Sequence, residues 1–318
     1  MSPNRAVDTA IDIVVCVPTF RRPDWLARTL DSLVAQTTRR PFAVVVVEND
    51  AGARQGADVA EAYFASGRLR GLALVEHAQG NCHAINAAFG TALGAYPAAR
   101  FFLMIDDDEW AEPTWLEAMV ATAERTGAGV VGGPVMPQIA QGGPPALARH
   151  PAFRPAFDTS GPVPVIYGSG NCLIARSTFV RLGLPAFDVA YNFLGGGDTD
   201  FFMRARRAGI QFQWEQEAVI SETVPVARTT LRWLAARGLR IGAINYRIDR
   251  KHRLGGIGGV VIAMKSAVIL SLSVGRSLRI LAKTRQLTFA LHPIAVAVGR
   301  CLASIGIEPQ PYRAATPK

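Results

Sequence analysis

Apolar residues come in two rhythms along the first hundred positions. Short unbroken runs, "IDIVVCV" (11–17), "FAVVVVEND" (42–50), "GLALVEH" (71–77) and "RFFLMID" (100–106), are rich in β-branched or aromatic side chains. Between them lie segments whose apolar positions recur every three or four residues. The first pattern predicts strands buried on both faces, the second amphipathic helices. In "RRPDWLARTLDSLVAQ", Pro23 and Asp24 occupy a first turn, and Trp25, Leu26, Leu30, Leu33 and Val34 fall at helical spacing. "DVAEAYFASG" (58–67) reads as a helix closed by Gly67, and "NCHAINAAFGTALG" (81–94) as a third. The order β-α-β-α-β-α-β predicts an α/β fold with a mostly parallel sheet flanked by helices. Ligands of such sheets gather beyond the C-terminal strand ends, where Thr19, Glu48, Asn49, His77 and Asp106–Asp108 stand.

The pattern then changes. Residues 132–165 are rich in proline and glycine and predict a long irregular loop. "VIYGSGNCLIARSTFVRLG" predicts a strand and a short helix, and "LGGGDTDFFMRARRAG" (194–209) a glycine turn opening an amphipathic helix. From Gly258 to Lys283 a helical reading places Lys265, Arg276, Arg279 and Lys283 in one narrow stripe, with valine, isoleucine and leucine over most of the rest. "IAVAVGRCLASIGI", after Pro293, predicts a further membrane-facing or packing segment.

Composition narrows the class. With 49% hydrophobic and 19% charged residues, the 318-residue chain is globular rather than disordered. Cys16, Cys82, Cys172 and Cys301 lie far apart with no metal-ligand spacing, which argues against a disulfide framework or a zinc site and for a reducing compartment. The N-terminal apolar run is too short and too β-branched for a signal peptide and reads as a first strand. A net charge of +9 conceals an asymmetry: Thr223–Lys318 carries 16 Lys/Arg against 2 Asp/Glu, whereas residues 1–222 carry 18 against 23. A basic appendage meets phosphates or an anionic membrane surface. No nucleic-acid motif accompanies the charge, so nucleic acid is not the expected partner.

The candidate chemistry sits in two acidic stretches. In "FFLMIDDDEW" (101–110) five apolar residues run into Asp106, Asp107, Asp108 and Glu109. Alternate residues of an extended segment share a side, so Asp106 and Asp108 can act together. Carboxylate oxygens suit Mg2+ or Mn2+, which use one or two carboxylates and complete their shell with substrate phosphates. A solvated turn is the competing reading. In "GGGDTDFF", Asp198 opens a helix whose dipole keeps a carboxylate ionised, as a general base must be. On spacing alone a helix N-cap is the simpler reading.

Taken together, "VCVPTFRRPDWLARTLDSL", "VVVEND", "HAQGNCHAINAAF", "FFLMIDDDEW", "GSGNCLIAR" and "GGGDTDFF" resemble, in order, the motifs of family 2 glycosyltransferases. These are inverting enzymes of the GT-A fold, a Rossmann-like sheet, that use nucleotide-diphosphate sugars. "VPVARTTLRWLAARGLRIG" resembles the segment after the catalytic domain of bacterial exopolysaccharide glucosyltransferases of the succinoglycan type. The resemblance implies a catalytic domain over 1–245 and a basic amphipathic helical tail over 246–318. It implies a UDP-sugar donor, with glucose favoured, and a glycan acceptor on a polyprenyl diphosphate. Pro18, Thr19 and Arg21 would line the nucleotide pocket, Glu48 and Asn49 the uracil and ribose, and Asp106 the ribose. Asp107, Asn86, Asn171, Gly196 and Gly197 fall on motif positions near substrate. Asp108 would hold the metal, Asp198 would be the base, and Arg237 and Arg240 would neutralise phosphates.

Three positions depart from the family pattern. Gly197 replaces the glutamate usual before the catalytic aspartate, Ile85 replaces an arginine, and Ser221 replaces a histidine, leaving Glu222 or water as the substitute metal ligand. They motivate a degenerate, non-catalytic membrane- or partner-binding protein as one alternative. A nucleotidyltransferase is the other, although "PTFRRPDW" lacks that class's glycine-rich phosphate loop. Charge asymmetry, the striped tail and the resemblance place a peripheral enzyme on the cytoplasmic face of a bacterial inner membrane.

Overall fold

The computed structural model describes residues 11–252 and 257–309. In chain order the elements are β1 (Ile13–Thr19), α1 (Pro23–Val34), β2 (Phe42–Glu48), α2 (Gln55–Ala65), β3 (Gly71–Val75), α3 (Asn81–Ala95) and β4 (Phe101–Met104). Then come β5 (Glu109–Ala111), α4 (Trp115–Thr126), β6 (Val130–Gly132), β7 (Val135–Ile139), β8 (Gly161–Val163), β9 (Cys172–Ala175), α5 (Arg176–Leu182) and α6 (Gly197–Arg207). The last are β10 (Phe212–Trp214), β11 (Ile220–Val224), α7 (Leu231–His252), α8 (Gly258–Thr284) and α9 (Leu287–Ser304). Two compact units result. The first takes the chain to Met136, Pro155–Asn192 and Gly197–Glu222; the second takes Pro137–Arg154, Phe193–Gly196 and the chain from Thr223.

The first unit is built on an eight-stranded sheet of order β3-β2-β1-β4-β9-β6-β10-β8. β1 runs parallel to both β2 and β4, and β2 parallel to β3. β9 is antiparallel to β4 and β6, so the expected parallel half continues into a mixed half. Every residue of β1 and β4 is buried, as continuous apolar runs require when helices cover both faces. α1 starts on Pro23 and turns Leu26, Leu30 and Leu33 into this core. Each such leucine contributes about 1.5–3 kcal/mol by leaving water. A smaller sheet of order β5-β11-β7 follows the acidic run.

Several expectations need correction. Residues 132–165 are not one irregular loop: they hold β7, a 3-10 turn at Pro145–Arg149 and β8. The boundary expected at 245 falls inside α7, which runs unbroken to His252. Pro293 lies within α9 rather than ahead of it. Arg253, in the basic run "RIDRKHR", lies outside the described residues.

In the second unit α7 and α9 pack on small residues: a Cβ at Gly242 would strike the Val296 carbonyl, and one at Gly299 the Leu239 carbonyl. The buried Arg300 donates to Ser266 Oγ at 2.8 Å and to Asp249 Oδ2 at 2.6 Å. Lys265 completes this network, 2.7 Å from Asp249. Burial pushes the Asp249 carboxyl up, but hydrogen bonds from Lys265 and Arg300 outweigh it and hold the group below the usual carboxylate range. Lys265 is therefore tied to α7 and does not serve the basic stripe in which periodicity placed it. α8 turns Ile262, Ser266, Ser273 and Ser277 inward and leaves Met264, Val268, Leu272, Val274 and Leu278 exposed.

Candidate active site

The strand order reverses at β1, whose two neighbours are β2 and β4. This switch point opens a crevice beyond the C-terminal ends of β1 and β4. Thr19, ending β1, donates its hydroxyl to Asp107 Oδ2 at 2.8 Å, and the Phe20 amide reaches the same oxygen at 3.3 Å. Arg22, just before α1, places Nη1 3.1 Å from Asp107 Oδ1 and 2.8 Å from Asp108 Oδ2. Thr29 donates to the carbonyls of Asp107 (3.1 Å) and Glu109 (2.5 Å). These bonds fix the acidic run in an alternating register: Asp107 and Glu109 are buried, while Asp106 and Asp108 are partly exposed. Glu109 turns back to accept the Asp106 amide at 2.8 Å.

Charge crowding follows. Burial, then Asp108, Asp107 and Glu222, push the Asp106 carboxyl up to about 8, with Arg22 opposing. Burial and the Asp106 charge likewise push Glu109 well up. Burial raises Asp107 against the pull of Arg22. The excess negative charge is what a divalent cation would relieve, and the donors are all oxygen, as Mg2+ or Mn2+ require. Among the described residues no group of three or more His, Cys, Asp or Glu side chains forms a ready metal cage. The arrangement fits an ion held by one or two carboxylates and finished by substrate phosphate oxygens.

β11 supplies the remaining acid. Ser221 pairs with Trp110 and Glu222 with Glu109 across β5. Ser221 is buried, and successive residues of a strand face opposite ways. Glu222, whose charge acts on both Asp106 and Glu109, belongs to the acidic cluster.

Asp198 stands in the first turn of α6, after Gly195 and Gly196 at φ 85° and 93°, a backbone that favours glycine. Its Oδ1 accepts from the Thr199 amide at 2.7 Å and hydroxyl at 3.2 Å. Gly197 has a packing reason: a Cβ there would lie 2.8 Å from Cys82 Sγ and 3.1 Å from the Phe187 ring. A glutamate at 197 has no room without repacking. Cys172, opposite Met104 in the β4–β9 pair, feels charge from both acidic stretches. Burial raises the Cys172 thiol first, and the charges of Asp106 and Asp198 raise it further. Asp198 and the acidic run thus share one end of the sheet.

Other anticipated contacts serve the frame. Glu48 is fully buried and accepts the amides of Asp50 (2.7 Å) and Gly56 (2.8 Å). Asn49 donates to the carbonyls of Glu76 and Ala78 and accepts the Gly80 amide at 2.7 Å. Asn86 uses both ends of its amide on the Phe187 backbone, each at 2.8 Å. Asn171 donates to Pro134 and Ala218 carbonyls and accepts from Trp115 Nε1 at 2.8 Å. Glu48, Asn49, Asn86 and Asn171, expected as substrate contacts, have polar atoms engaged by the chain itself. Asp107 joins them. Pro18 lies within β1 opposite Val47, and Arg21 pairs with Asp50 at 2.6 Å while 64% of its side chain stays exposed. Gly196 packs on Ile244, and Arg237 and Arg240 lie on α7 in the second unit.

Two residues went unnoticed in the sequence. Arg22 was hidden beside Arg21, although the pair precedes a helix-opening proline. Asn192 accepts the Cys82 amide at 3.0 Å and donates to the Gln79 carbonyl at 2.8 Å, pinning the start of α3. No sequence signal marked it.

A sheet reversal with acids at its mouth and a glycine turn before Asp198 agrees with what the family comparison finds. The glycosyl transferase family 2 model matches residues 14–181. The chain belongs to glycosyl transferase family 2. This family 2 glycosyltransferase is 33% identical over 257 residues to the succinoglycan biosynthesis protein ExoM of Rhizobium meliloti (strain 1021), covering 77% of each chain. It is 30% identical over 251 residues to the glucosyl-dolichyl phosphate glucuronosyltransferase of Haloferax volcanii, covering 71% of this chain and 73% of that one. Among solved structures it is similar to the mannosyltransferase PcManGT of Pyrobaculum calidifontis, in complex with GDP-Man and Mn2+. That match has a TM-score of 0.60 and 18% identity, covering 94% of this chain and 91% of that one. S. aureus TarS 1-349, in complex with UDP, matches at a TM-score of 0.52 and 15% identity, with 93% and 92% covered. At those identities the structural matches speak for the GT-A fold alone.

Proposed function

We propose that this glycosyltransferase moves a hexose, glucose first among candidates, from a UDP-sugar to a hydroxyl of a polyprenyl-diphosphate-linked glycan, inverting the anomeric centre, in surface polysaccharide synthesis. The observation that supports this is that Asp106 and Asp198, from the two acidic stretches, both act electrostatically on one buried thiol, Cys172. Asp198 takes the proton from the acceptor hydroxyl, whose oxygen attacks the anomeric carbon as the nucleoside diphosphate leaves from the opposite face. One displacement inverts configuration and needs no carboxylate nucleophile. Asp108, with Glu222 as the second candidate, would hold Mg2+ or Mn2+, which when bound offsets the charge of the departing diphosphate. Asp106 faces the ribose, and Thr19, Phe20 and Arg22 keep the acidic run in register. The names of the relatives support a polysaccharide product and a lipid-carried substrate.

The exposed apolar face of α8 supports a membrane-bound setting on the cytoplasmic side. α8, 27 residues long, is a candidate span: an 18-residue window of it has mean hydropathy 1.7, yet only 17% of that window is buried. Ser266, Ser273 and Ser277 face inward, and Arg276, Arg279 and Lys283 flank the apolar face, which suits a helix lying in an anionic interface.

Release of UDP from UDP-glucose tests the catalytic reading, measured on the full chain with Mn2+, with Mg2+ and with chelator. Metal-dependent release that Asp198→Asn lowers at least a hundredfold is the expected result. Equal rates in wild type and variant would contradict the assignment of the base.

A further inference from the structure

Two adjacent arginines leave β1 in different directions. Arg21 takes a left-handed backbone at φ 58°, which residues bearing a Cβ seldom adopt, and Asp50 holds its Nε at 2.6 Å. Arg22 follows, and Pro23 then opens α1, with the Arg22 carbonyl accepting the Leu26 amide at 2.9 Å. The Arg22 backbone is thereby fixed from both sides, and its guanidinium is delivered to the acidic run.

The head of that side chain is less constrained. One nitrogen, Nη1, serves Asp107 Oδ1 at 3.1 Å and Asp108 Oδ2 at 2.8 Å, and 41% of the side chain is exposed. The two acids differ in what else holds them. Asp107 Oδ2 also accepts from the Thr19 hydroxyl and the Phe20 amide, so Asp107 keeps its place when Arg22 moves. Asp108 is the carboxylate read above as the metal ligand, and a guanidinium lies on it.

A divalent ion and a guanidinium on one carboxylate repel each other. Mg2+ sits about 2.0–2.1 Å from its ligand oxygens, so an ion on either oxygen of Asp108 would lie within about 7 Å of Arg22 Nη1. That is inside the Debye length of about 8 Å at physiological ionic strength, so salt does not remove the repulsion. A nucleoside diphosphate changes the balance. Its phosphate oxygens complete the ion's shell, lower the net positive charge that Arg22 faces and offer the guanidinium a further acceptor.

We propose that Arg22 is an internal competitor for the divalent ion at Asp108, so that the ion binds weakly by itself and tightly together with the nucleoside diphosphate. The inference rests on the reading of Asp108 as metal ligand and adds a regulation of that site. Arg22 holds Asp108 Oδ2 until ion and diphosphate arrive, then yields that oxygen and keeps Asp107. The coupling is reciprocal, since the ion strengthens diphosphate binding by the factor by which the diphosphate strengthens the ion. The site therefore takes up the ion with its donor and does not sequester the ion alone.

Mn2+ titration of the full chain, followed by the electron paramagnetic resonance of the free ion, tests this without turnover. Arg22→Gln is expected to bind Mn2+ about tenfold more tightly than wild type, because the competing charge is gone. Arg22→Lys keeps the charge and should stay within about threefold of wild type. Calorimetric titration of UDP in saturating Mn2+ should show Arg22→Gln binding UDP no more tightly than wild type, so that the gain belongs to the ion alone. Arg22→Gln that binds Mn2+ like wild type or more weakly overturns the proposal and leaves Arg22 a purely structural tie. Arg22→Lys that gains as much as Arg22→Gln also overturns it, because charge is then not the cause. Wild type supplies an arm that needs no variant: UDP should bind it at least tenfold more tightly in Mn2+ than in chelator, and equal affinities overturn the coupling. Asp108→Asn should lose Mn2+ binding. If it binds Mn2+ like wild type, the metal assignment itself falls and this inference with it; if it loses the ion while Arg22→Gln changes nothing, only this inference falls.

Discussion

Removing Asp249, Arg300 and Lys265 in turn tests whether burial sets the worth of their charges. Arg300 is 2% exposed, Asp249 17% and Lys265 41%. Asp249→Asn leaves a fully buried guanidinium without a counter-charge, and breaking a buried pair this way costs about 3–5 kcal/mol. Arg300→Met fills similar volume and leaves Asp249 with Lys265, so its cost sits lower, at about 2–3 kcal/mol. Lys265→Met removes an exposed partner and costs about 1 kcal/mol or less. The double variant Asp249→Asn/Arg300→Met removes the orphaned charge and should be more stable than Asp249→Asn alone. Urea unfolding followed by tryptophan fluorescence gives all four values, provided the slopes agree. The reasoning fails if Lys265→Met costs as much as Arg300→Met, or if the double variant costs the sum of the singles.

Two other predictions concern titrating groups. His292 is pushed down to about 4 by burial and its cationic neighbours, so the unfolded chain binds more protons between that value and its ordinary 6.5. Stability is therefore lost as pH falls through that window; in phosphate-free buffer, wild type should lose about 1–2 kcal/mol more than His292→Leu between pH 7 and 4.5. Burial raises the thiols of Cys16, Cys172 and Cys82, the last to about 12, whereas Cys301 is partly exposed. An aromatic disulfide reagent at pH 8 should modify one thiol rapidly in the native protein and four in urea, and rapid reaction of three or more would refute the burial argument.

How much was legible in the sequence depended on element length and on whether partners were local. β1, β2 and β4 were plain because buried strands flanked by helices read as unbroken apolar runs, and α1 because Pro23 and its leucine spacing agree. β5, β6, β8 and β10 are three residues each, too short for any period to establish itself. Within the site the residue types were legible but not their partners. Asn49, Asn86 and Asn171 carry the right chemistry for a ligand, yet amides and carbonyls distant in sequence engage them, and Glu48 is engaged by the amides of Asp50 and Gly56 just beyond β2. Lys265 shows the same limit: a helical wheel sees its stripe, but not Asp249 on the preceding helix. The alternation within Asp106–Glu109 matches an extended reading, yet the segment is a turn between β4 and β5 and its alternation is held by Thr19, Arg22 and Thr29.

α8 also carries a consequence in time. It packs chiefly on α9, which the ribosome makes afterwards. At about 5–20 residues per second, the 18 residues of α9 take about 1–4 s to synthesise. Until α9 is made, the inward face of α8, with Ile262, Ser266, Ser273 and Ser277, lacks the helix that covers it. The outer apolar face of α8 does not wait for α9, so in the membrane-bound setting proposed above a bilayer can hold the helix before the fold is complete.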